Sequence, residues 1–377
     1  MVGYNQTDIG LIPEDWEVKS MGLIGDTIIG LTYSPNNVSK YGTLVLRSSN
    51  IQNNQLAFKD NVFVDMELPN RVIVNENDIL ICVRNGSKRL IGKSTLIDKK
   101  TKGSAFGAFM SIYRSKSNLF IVNVFQSHII QKQINEVLGA TINQITNKDL
   151  ASFQIPLPPP KEQESIAQVL SDTDALITVL EKRIAKKRLI KQGAMQTLLT
   201  PKDDWEVKKL DEVCDIKKGE QLNKDKMRDT EKYPVINGGV LPSGYTNKYN
   251  QVENTITISE GGNSCGYVNY MRVKFWQGGH CYSLKTTMNK SYLYSYLKFN
   301  EGIIMSLRVG SGLPNIQRNR LEEFNVFLPQ TSEQTRIATI LSDMDSEIDL
   351  LEKKLSKTKE LKQGLMQQLL TGKIRLV

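Results

Sequence analysis

Two loops rich in polar and cationic side chains hold the residue types of this sequence that are best suited to contact another molecule. The first loop follows a predicted buried strand at Asp78 to Val83. Guanidinium, ammonium and amide groups at such a position can meet the phosphates and base edges of DNA, although a merely solvated loop has the same composition. The predicted DNA contacts of the first half are Arg47, Asn50, Arg84, Asn85, Ser87, Lys88, Arg89 and Lys93. Those of the second half are Asn237, Lys248, Asn263, Ser264 and Arg272.

The sequence offers little that could perform catalysis or hold a metal. A nucleophilic hydrolase needs a base with a pKa near neutrality, and the two histidines, His128 and His280, are far apart in the sequence. We expect His128 to pack within an amphipathic helix, whereas His280 adjoins Cys281 without the further ligands of a zinc site. The stretch Gly86 to Ser94 resembles a phosphate-binding loop, but its glycine spacing is too long and an extended segment follows. We therefore predict no catalytic residue, no metal and no cofactor.

Composition is that of a soluble globular protein with an affinity for polyanions. The chain has 377 residues, 40% of them hydrophobic, and its 49 Lys and Arg against 40 Asp and Glu give a formal net charge of +9. Such an excess of positive charge favours a nucleic-acid partner. No apolar run is long enough to predict a membrane span, and the four cysteines show no paired spacing, so a reduced cytoplasm is the expected location.

A tandem duplication organises the chain. Aligned without gaps, residues 139–200 and 310–371 share roughly 27 identities in about 62 positions, far more than unrelated segments share. An earlier motif, Trp16-Glu17-Val18-Lys19, recurs from Trp205 with an offset that is about 18 residues larger. The two copies therefore have similar ends that frame dissimilar middles.

Each copy ends in a segment that predicts one long helix. Strong helix formers dominate residues 161–199 and 332–370, and Thr331 with Gln334 is placed to form a capping box. Apolar residues recur at alternating spacings of four and three, which is typical of a coiled-coil seam. The seam consists of Ile166, Leu170, Ile177, Leu180 and Ile184, and of Ile337, Leu341, Met344, Ile348, Leu351 and Leu355. A lone helix would expose such a stripe, so we expect the two helices to pair with each other.

The framed regions predict α+β domains. Short runs such as Thr255 to Ser259 are typical of strands, and they are bounded by turns rich in Asn and Gly. Helical stretches follow near residues 119–138 and 291–307. Strands followed by helices in each region indicate two separate mixed domains.

The ends of the two predicted helices carry a glycine at corresponding places. Gly193 and Gly364 lie inside helical segments, where glycine costs about 1 kcal/mol relative to alanine. Its presence in both copies indicates close approach of another backbone, either the paired helix or an external subunit. The predicted partner interface is Lys191, Gln192, Gly193, Met195, Lys362, Gln363, Gly364 and Met366.

Several motifs, taken in order, resemble the specificity subunit of type I restriction-modification systems. They are Ile9 to Val18, Phe106 to Met110, Leu157 to Gln163 and Gly364 to Lys373, and the resemblance spans essentially the whole chain. It implies an α+β fold with two mixed α/β target-recognition domains separated by two long antiparallel helices that form a coiled coil. The implied boundaries are 1–155 for the first recognition domain, 156–200 for the first long helix, 201–327 for the second domain, and 328–377 for the second helix and C-terminal tail.

The resemblance also implies a function and partners. Each domain would read one half of a bipartite, asymmetric target in double-stranded DNA, the helices would set the spacer, and the helix ends would dock two methyltransferase subunits. Those subunits would carry S-adenosylmethionine and modify adenine, while motor-nuclease subunits would cut unmodified DNA using ATP. This chain would itself be non-catalytic. The recognition domains of the family vary, so the predicted DNA contacts rest on residue chemistry alone.

Two alternatives stay open at this point. A catalytically active DNA methyltransferase is disfavoured by the missing Asn/Asp-Pro-Pro-Tyr and cofactor-glycine signatures. A coiled-coil scaffold without a DNA function would leave the polar loops and the basic charge unexplained.

Overall fold

The computed structural model describes residues 3–138, 143–310, 312 and 314–377, and the predicted start of the duplicated segment at Gly139 lies outside them. The chain divides into two compact units, Met1–Val179 with Leu355–Val377 and Leu180–Lys354. Both long helices continue through these divisions, so each unit takes part of each helix. The predicted boundaries lie instead at the helix starts.

Among its described residues, the first unit contains two four-stranded sheets and three two-stranded pairs, all built from short strands. The strands are β1 Tyr4–Thr7, β2 Gly10–Pro13, β3 Glu17–Ser20, β4 Asp26–Ile29, β5 Val38–Ser39, β6 Thr43–Leu46, β7 Ile51–Gln52, β8 Gln55–Leu56, β9 Val62–Val64, β10 Ile79–Cys82, β11 Ser94–Leu96, β12 Ala105–Phe106, β13 Met110–Arg114 and β14 Gln154–Leu157. The short helices are α1 Met21–Ile24, α2 Asn118–Phe125, α3 His128–Val137 and α4 Asn147–Ser152, and the long helix α5 is Pro160–Leu199. The four-stranded sheets have the orders β11-β10-β13-β4 and β12-β6-β9-β5.

Strand β10 lies between two cores of the first unit. All four of its residues are buried, and successive side chains of a strand point to opposite faces. Ile79 and Ile81 join the core that also contains α2 and α3, whereas Leu80 and Cys82 join the core on the other face, with β6 and β12. Burial on both faces explains why this segment is a continuous apolar run.

The second unit repeats this plan with fewer elements. Its strands are β15 Glu206–Lys209, β16 Cys214–Lys218, β17 Tyr233–Ile236, β18 Tyr245–Thr246, β19 Thr255–Ser259, β20 Val268–Met271, β21 Trp276–Gln277, β22 Cys281–Thr286 and β23 Asn325–Leu328. The helices are α6 Leu210–Val213, α7 Lys290–Phe299, α8 Glu301–Ser306, α9 Arg318–Glu322 and α10 Thr331–Leu369. The sheet order β20-β19-β22-β16 corresponds strand by strand to that of the first unit. The α+β prediction is therefore confirmed.

The long helices confirm the predictions for residues 161–199 and 332–370 to within one residue. They contain 40 and 39 residues, which corresponds to roughly 60 Å each. The predicted capping box is wrong, because α10 already includes Thr331 and the Gln334 backbone N–H donates 3.0 Å to the Gln330 carbonyl; the Gln334 side-chain amide donates 2.9 Å to the Pro329 carbonyl. Gln163 makes the same bond to Pro158 at 2.7 Å, so the contact belongs to both copies. Within the described ranges, no helix combines the length and apolarity that a membrane span needs.

The two long helices pack against each other in antiparallel directions within each unit. In the first unit the start of α5, at Ile166 and Leu170, shares a core with the end of α10, at Leu369. In the second unit the end of α5, at Leu199, shares a core with Ile337 near the start of α10. Because residues of both helices share a core in each unit, the predicted pairing of the helices is confirmed.

Ion pairs between the helices repeat under the duplication. Lys191 Nζ lies 2.5 Å from Asp345 Oδ1 in the second unit, and Lys362 Nζ lies 2.6 Å from Asp174 Oδ1 in the first. The lysines occupy equivalent positions of the two copies, and so do the aspartates. The same contact is thus made twice, with the helices exchanging roles.

The C-terminal tail completes the first unit through Arg375. Its guanidinium bonds Glu162 at 2.8 and 2.9 Å and Asp15 at 2.9 and 2.6 Å, and it lies over the Trp16 ring. Glu162 is 1% exposed and also accepts a hydrogen bond from Trp16 Nε1 at 3.0 Å. The tail therefore neutralises a buried carboxylate, an arrangement that the sequence did not predict.

The second unit lacks this arrangement. Glu333, the counterpart of Glu162, pairs with Lys202 at 2.8 Å, and the Lys202 side chain is about half exposed. Trp205, the counterpart of Trp16, has a buried Nε1 without a hydrogen-bond partner among the described residues. In the second unit the chain continues directly from α5 into β15. In the first unit the corresponding segments are the two ends of the chain, and the C-terminal tail meets the N-terminal segment through side-chain contacts.

We predict that Arg375→Ala destabilises the first unit by about 3 kcal/mol, because it leaves the buried Glu162 carboxylate without its cation. Urea unfolding of the full chain measures the change. Lys373→Ala is the matched control, since it removes a cation from the same tail without uncovering a buried acid. A loss below about 1 kcal/mol for Arg375→Ala would contradict this role.

The same contacts predict a loss of stability in acid. Burial alone would raise the pKa of Glu162, but hydrogen bonds from Arg375, Trp16 and the Leu376 amide outweigh it and lower the pKa; the hydrogen bond from Arg375 also lowers the pKa of Asp15. Carboxyl groups with pKa values below their unfolded values of about 4 stabilise the fold above that pH, and this contribution disappears as the pH falls through the lowered values. Unfolding free energies measured from pH 7 to pH 3 should fall less in Arg375→Ala than in the wild type. Parallel pH curves for the two proteins would refute the assignment.

Candidate nucleic-acid interface

Three loops of the first unit converge beyond the ends of β6, β10 and β12. They are residues 47–50, 83–87 and 107–109, which we call the three-loop cluster. Backbone bonds fix the loops to one another: the Gly107 amide donates 2.9 Å to Leu46, and the Val83 amide donates 3.0 Å to Phe109. The Asn85 amide group also donates 3.2 Å to the hydroxyl of Ser48. The sheets therefore hold polar and aromatic side chains from three distant segments in one place.

A cavity of about 500 Å³ opens at the three-loop cluster. Its lining combines Arg47, Ser48 and Asp60 with the apolar groups of Leu31 and Phe109. Arg47 pairs with Asp60 at 2.8 Å, and its buried Nε has no partner among the described residues. The cluster thus offers hydrogen-bonding groups beside an apolar floor.

The second unit holds an equivalent three-loop cluster at residues 237–239, 260–264 and 278–280. The same backbone bonds define it: the Gly278 amide donates 2.8 Å to Ile236, and the Glu260 amide donates 3.0 Å to His280. The Asn237 side-chain oxygen accepts a bond from the His280 amide at 3.1 Å. Asn77 and Asn254, which precede β10 and β19, both adopt positive φ angles of 67° and 57°. The two asparagines therefore occupy corresponding positions in the two units.

Side chains differ at the equivalent places of the two clusters. The shared backbone bonds make Glu260 equivalent to Val83, and His280 equivalent to Phe109. The Glu260 carboxylate is 13% exposed, lies 2.5 Å from Lys218 Nζ and lies 3.6 Å from His280 Nδ1. Its Oε2 atom has no hydrogen-bond partner in the described part of the chain. One backbone frame therefore presents an aromatic, cationic surface in the first unit and a carboxylate with basic neighbours in the second.

The structure places most of the DNA contacts predicted for the first half in or next to the three-loop cluster. Arg84, Asn85 and Arg47 lie in the three-loop cluster, and the rest of the predicted loop continues from it through Ser87, Lys88, Arg89 and Lys93. Asn50 is a wrong prediction, because it is fully buried and its amide bonds the backbone of Arg47 and Ala57. An Asn that closes a turn in this way cannot reach a base edge.

The DNA contacts predicted for the second half lie partly inside and partly outside the three-loop cluster of their unit. Asn237, Asn263 and Ser264 lie in the three-loop cluster of their unit, and Lys248 is exposed on a turn after β18, outside it. Arg272 also lies outside the three-loop cluster. Arg272 follows Met271, whose strand partner is Thr255. Thr255 begins β19, whereas Glu260 comes directly after the other end of that strand. The Arg272 guanidinium lies 3.2 Å from Asp349 of α10.

Sequence reasoning missed Phe109, Glu260 and His280 as members of the clusters, and Lys218 as the ion-pair partner of Glu260. Their positions follow from strand registers, which a single sequence does not give, although Gly107 and Gly278 each precede the relevant residue by two positions. The expected packing of His128 is also wrong, because this residue is exposed at the start of α3. A helix of 10 residues with mixed polarity leaves its first residue free to face solvent.

The residues of the predicted partner interface on the long helices differ in their exposure and contacts. Gln192, Gly193, Gln363 and Gly364 are exposed, whereas Lys191 and Lys362 form the interhelical ion pairs described above. Met195 and Met366 are half-buried and pack against the cores of their own units. A Cβ atom added at Gly193 or Gly364 would meet no other atom within 4 Å, so neither glycine is required by the paired helix.

The cysteines are unsuited to nucleophilic chemistry. All four are free and buried. Burial raises the pKa of the Cys82 thiol to about 11 and those of Cys214 and Cys281 to about 12, and a protonated thiol is a poor nucleophile. Among the described residues, no group of three or more His, Cys, Asp or Glu side chains is placed to hold a metal ion.

Comparison with known proteins points to one family. Residues 13–187 and 202–360 match the family model described as type I restriction modification DNA specificity domain. The chain is 28% identical to the putative type I restriction enzyme MjaX specificity subunit of Methanocaldococcus jannaschii, over 99% of this chain and 97% of that protein. It is 25% identical to the MjaVIII specificity subunit of the same organism, over 97% and 94% of the two chains.

A solved structure has the same fold. The crystal structure of the S subunit of a type I restriction-modification system from M. genitalium superposes with a TM-score of 0.69 and is 19% identical in sequence. The match covers 94% of this chain and 96% of that one. The likeness therefore extends over both units and both long helices.

Proposed function

The chain belongs to the type I restriction-modification DNA specificity family, and on this premise we propose that it is the non-catalytic DNA-recognition subunit of a type I complex. Each unit reads one half of a bipartite, asymmetric target in double-stranded DNA. The single observation that carries this proposal is the duplicated three-loop cluster, which keeps its backbone bonds while its side chains differ. A common frame with different surfaces suits two modules that read different base sequences.

Mapping of methylated adenines tests the proposal directly. The chain is assembled with its methyltransferase subunit, and methylated adenines are mapped in cells with the gene present and deleted. We expect a set of sites with two unlike half-sequences that disappears on deletion. An unchanged methylation map, or a complex that binds all DNA equally, would exclude a role in recognition.

We further propose that two methyltransferase subunits dock at the two helix ends. Gly193 and Gly364 have open space around them, and exposed apolar residues lie one turn away, at Ile190 (46% exposed) and Leu361 (58% exposed). Exposed apolar groups beside a glycine allow another helix to approach closely. Because the duplication repeats this face, two quasi-equivalent docking positions follow. The methyltransferases would flip and modify adenine, and motor-nuclease subunits would complete the complex.

We propose that the long helices set the spacer between the half-sites. Both are continuous over about 60 Å, and ion pairs fix their register within each unit. A stiff pair of helices would admit only half-sites that recur at a matching distance along the DNA.

A bulky side chain at Gly193 or at Gly364 should prevent one methyltransferase subunit from docking. Gly193→Leu introduces a bulky side chain where a partner backbone would lie, without lowering helix propensity. We expect Gly193→Leu or Gly364→Leu to leave one methyltransferase per chain, and the double variant none, as measured by native mass spectrometry. Ala185→Leu, at an exposed position of α5, is the control and should retain two. Retention of two subunits by the double variant would place docking elsewhere.

Shortening both helices should change the spacer alone. Deletion of residues 179–185 and 350–356 shortens each long helix by about 10 Å, which corresponds to the length of about three base pairs of DNA. Sequencing of methylated sites should reveal the original half-sites at a shorter separation. A control with alanine at the exposed positions of these segments keeps the helix length and should keep the spacer. The idea fails if the shortened chain methylates sites with the original spacer.

A further inference from the structure

We propose that Arg84, held on the ring of Phe109, reads a guanine in the half-site of the first unit. The inference rests on the proposed function and assigns a base to one residue of the three-loop cluster. It also gives Phe109, which was not among the predicted DNA contacts, the role of a positioning residue.

The structure presents the Arg84 guanidinium to solvent in a fixed place. Arg84 is exposed, and its guanidinium carbon lies 5.2 Å from the centroid of the Phe109 ring, which is 57% exposed. The amides of Val83 and Arg84 both donate to the Phe109 carbonyl, at 3.0 and 3.1 Å. Ring and backbone contacts restrict the side chain before DNA arrives, so less conformational entropy is lost on binding.

The other cations of this surface are less suited to reading a base. Arg47 is paired with Asp60, and Lys88 donates 3.4 Å to the carbonyl of Leu138. Arg89 is exposed but has no ring contact in the described part of the chain. Arg84, by contrast, has no carboxylate within ion-pair distance among the described residues, so its hydrogen-bond donors are available.

The surroundings of Arg84 favour a base edge over a phosphate. The Phe109 ring also lines the cavity of about 500 Å³, together with Leu31, Tyr33 and Met110. An apolar floor of this kind suits the flat surface or methyl group of a base, whereas a phosphate would lose hydration there. The planar guanidinium fork matches the two acceptors, O6 and N7, on the major-groove edge of guanine.

The second unit cannot make the same contact. The backbone bonds that equate Glu260 with Val83 place Gly261 at the position of Arg84, and His280 at that of Phe109. A glycine has no side-chain donor to offer, and Glu260 adds a carboxylate that would repel the guanine acceptors. The guanine contact is therefore confined to one half of the target.

Replacing single guanines by 7-deazaguanine tests the proposal, because this base pairs normally but lacks the N7 acceptor. The chain is assembled with its methyltransferase subunit, and affinity is measured for the target defined by methylation mapping. We expect one guanine of one half-site whose replacement weakens wild-type binding on the order of tenfold. The same replacement should not affect Arg84→Ala, and Arg84→Lys, which keeps the charge but not the fork, should lose most of the penalty. Phe109→Leu should reduce the penalty in part.

Arg89→Ala is the matched control on the same loop, and it should retain the full penalty. The inference is overturned if Arg84→Ala lowers the affinity for normal and for substituted DNA by the same factor relative to the wild type, which would indicate a phosphate contact. It is equally overturned if the penalty persists in Arg84→Ala or occurs at no guanine. A wild-type complex that ignores base changes in both half-sites would instead refute the proposed function itself.

Discussion

Burial of the two apolar helix stripes is the constraint on which the rest of this structure depends. A lone helix of about 40 residues would expose its apolar stripe to water, so α5 and α10 pack against each other. Their antiparallel packing brings the start of one helix and the end of the other into the core of each unit. As a result, the first unit requires residues from both ends of the chain, whereas the second is the continuous segment Leu180–Lys354.

This requirement explains the contacts of Arg375. The C-terminal tail returns to the first unit because α10 ends there, and its guanidinium neutralises Glu162 while covering Trp16. In the second unit the chain passes directly from α5 into β15, and the equivalent Glu333 pairs instead with Lys202. The duplication is therefore close to symmetric in its helices and asymmetric at this junction.

Sequence reasoning predicted the elements with strong local signals. The periodic apolar residues gave the two helices, and the alternation of strands and turns gave the α+β units, since both patterns arise from local geometry. The three-loop clusters could not be predicted in full, because they depend on strand register between distant segments. Asn50 has the residue type of a DNA contact but closes a turn, and Phe109 has the type of a core residue but lies exposed beneath Arg84. Residue type alone does not distinguish these roles.

The most direct test of the account exchanges one recognition region for a copy of the other. In a chain whose residues 205–324 are replaced by residues 16–153, the helices and their ends are unchanged while both units carry the same three-loop cluster. Mapping of methylated adenines should then give a target whose two halves have the same base sequence, at the original spacer. If the second half-site of the wild type is still recognised, specificity does not lie in these regions and the account is wrong.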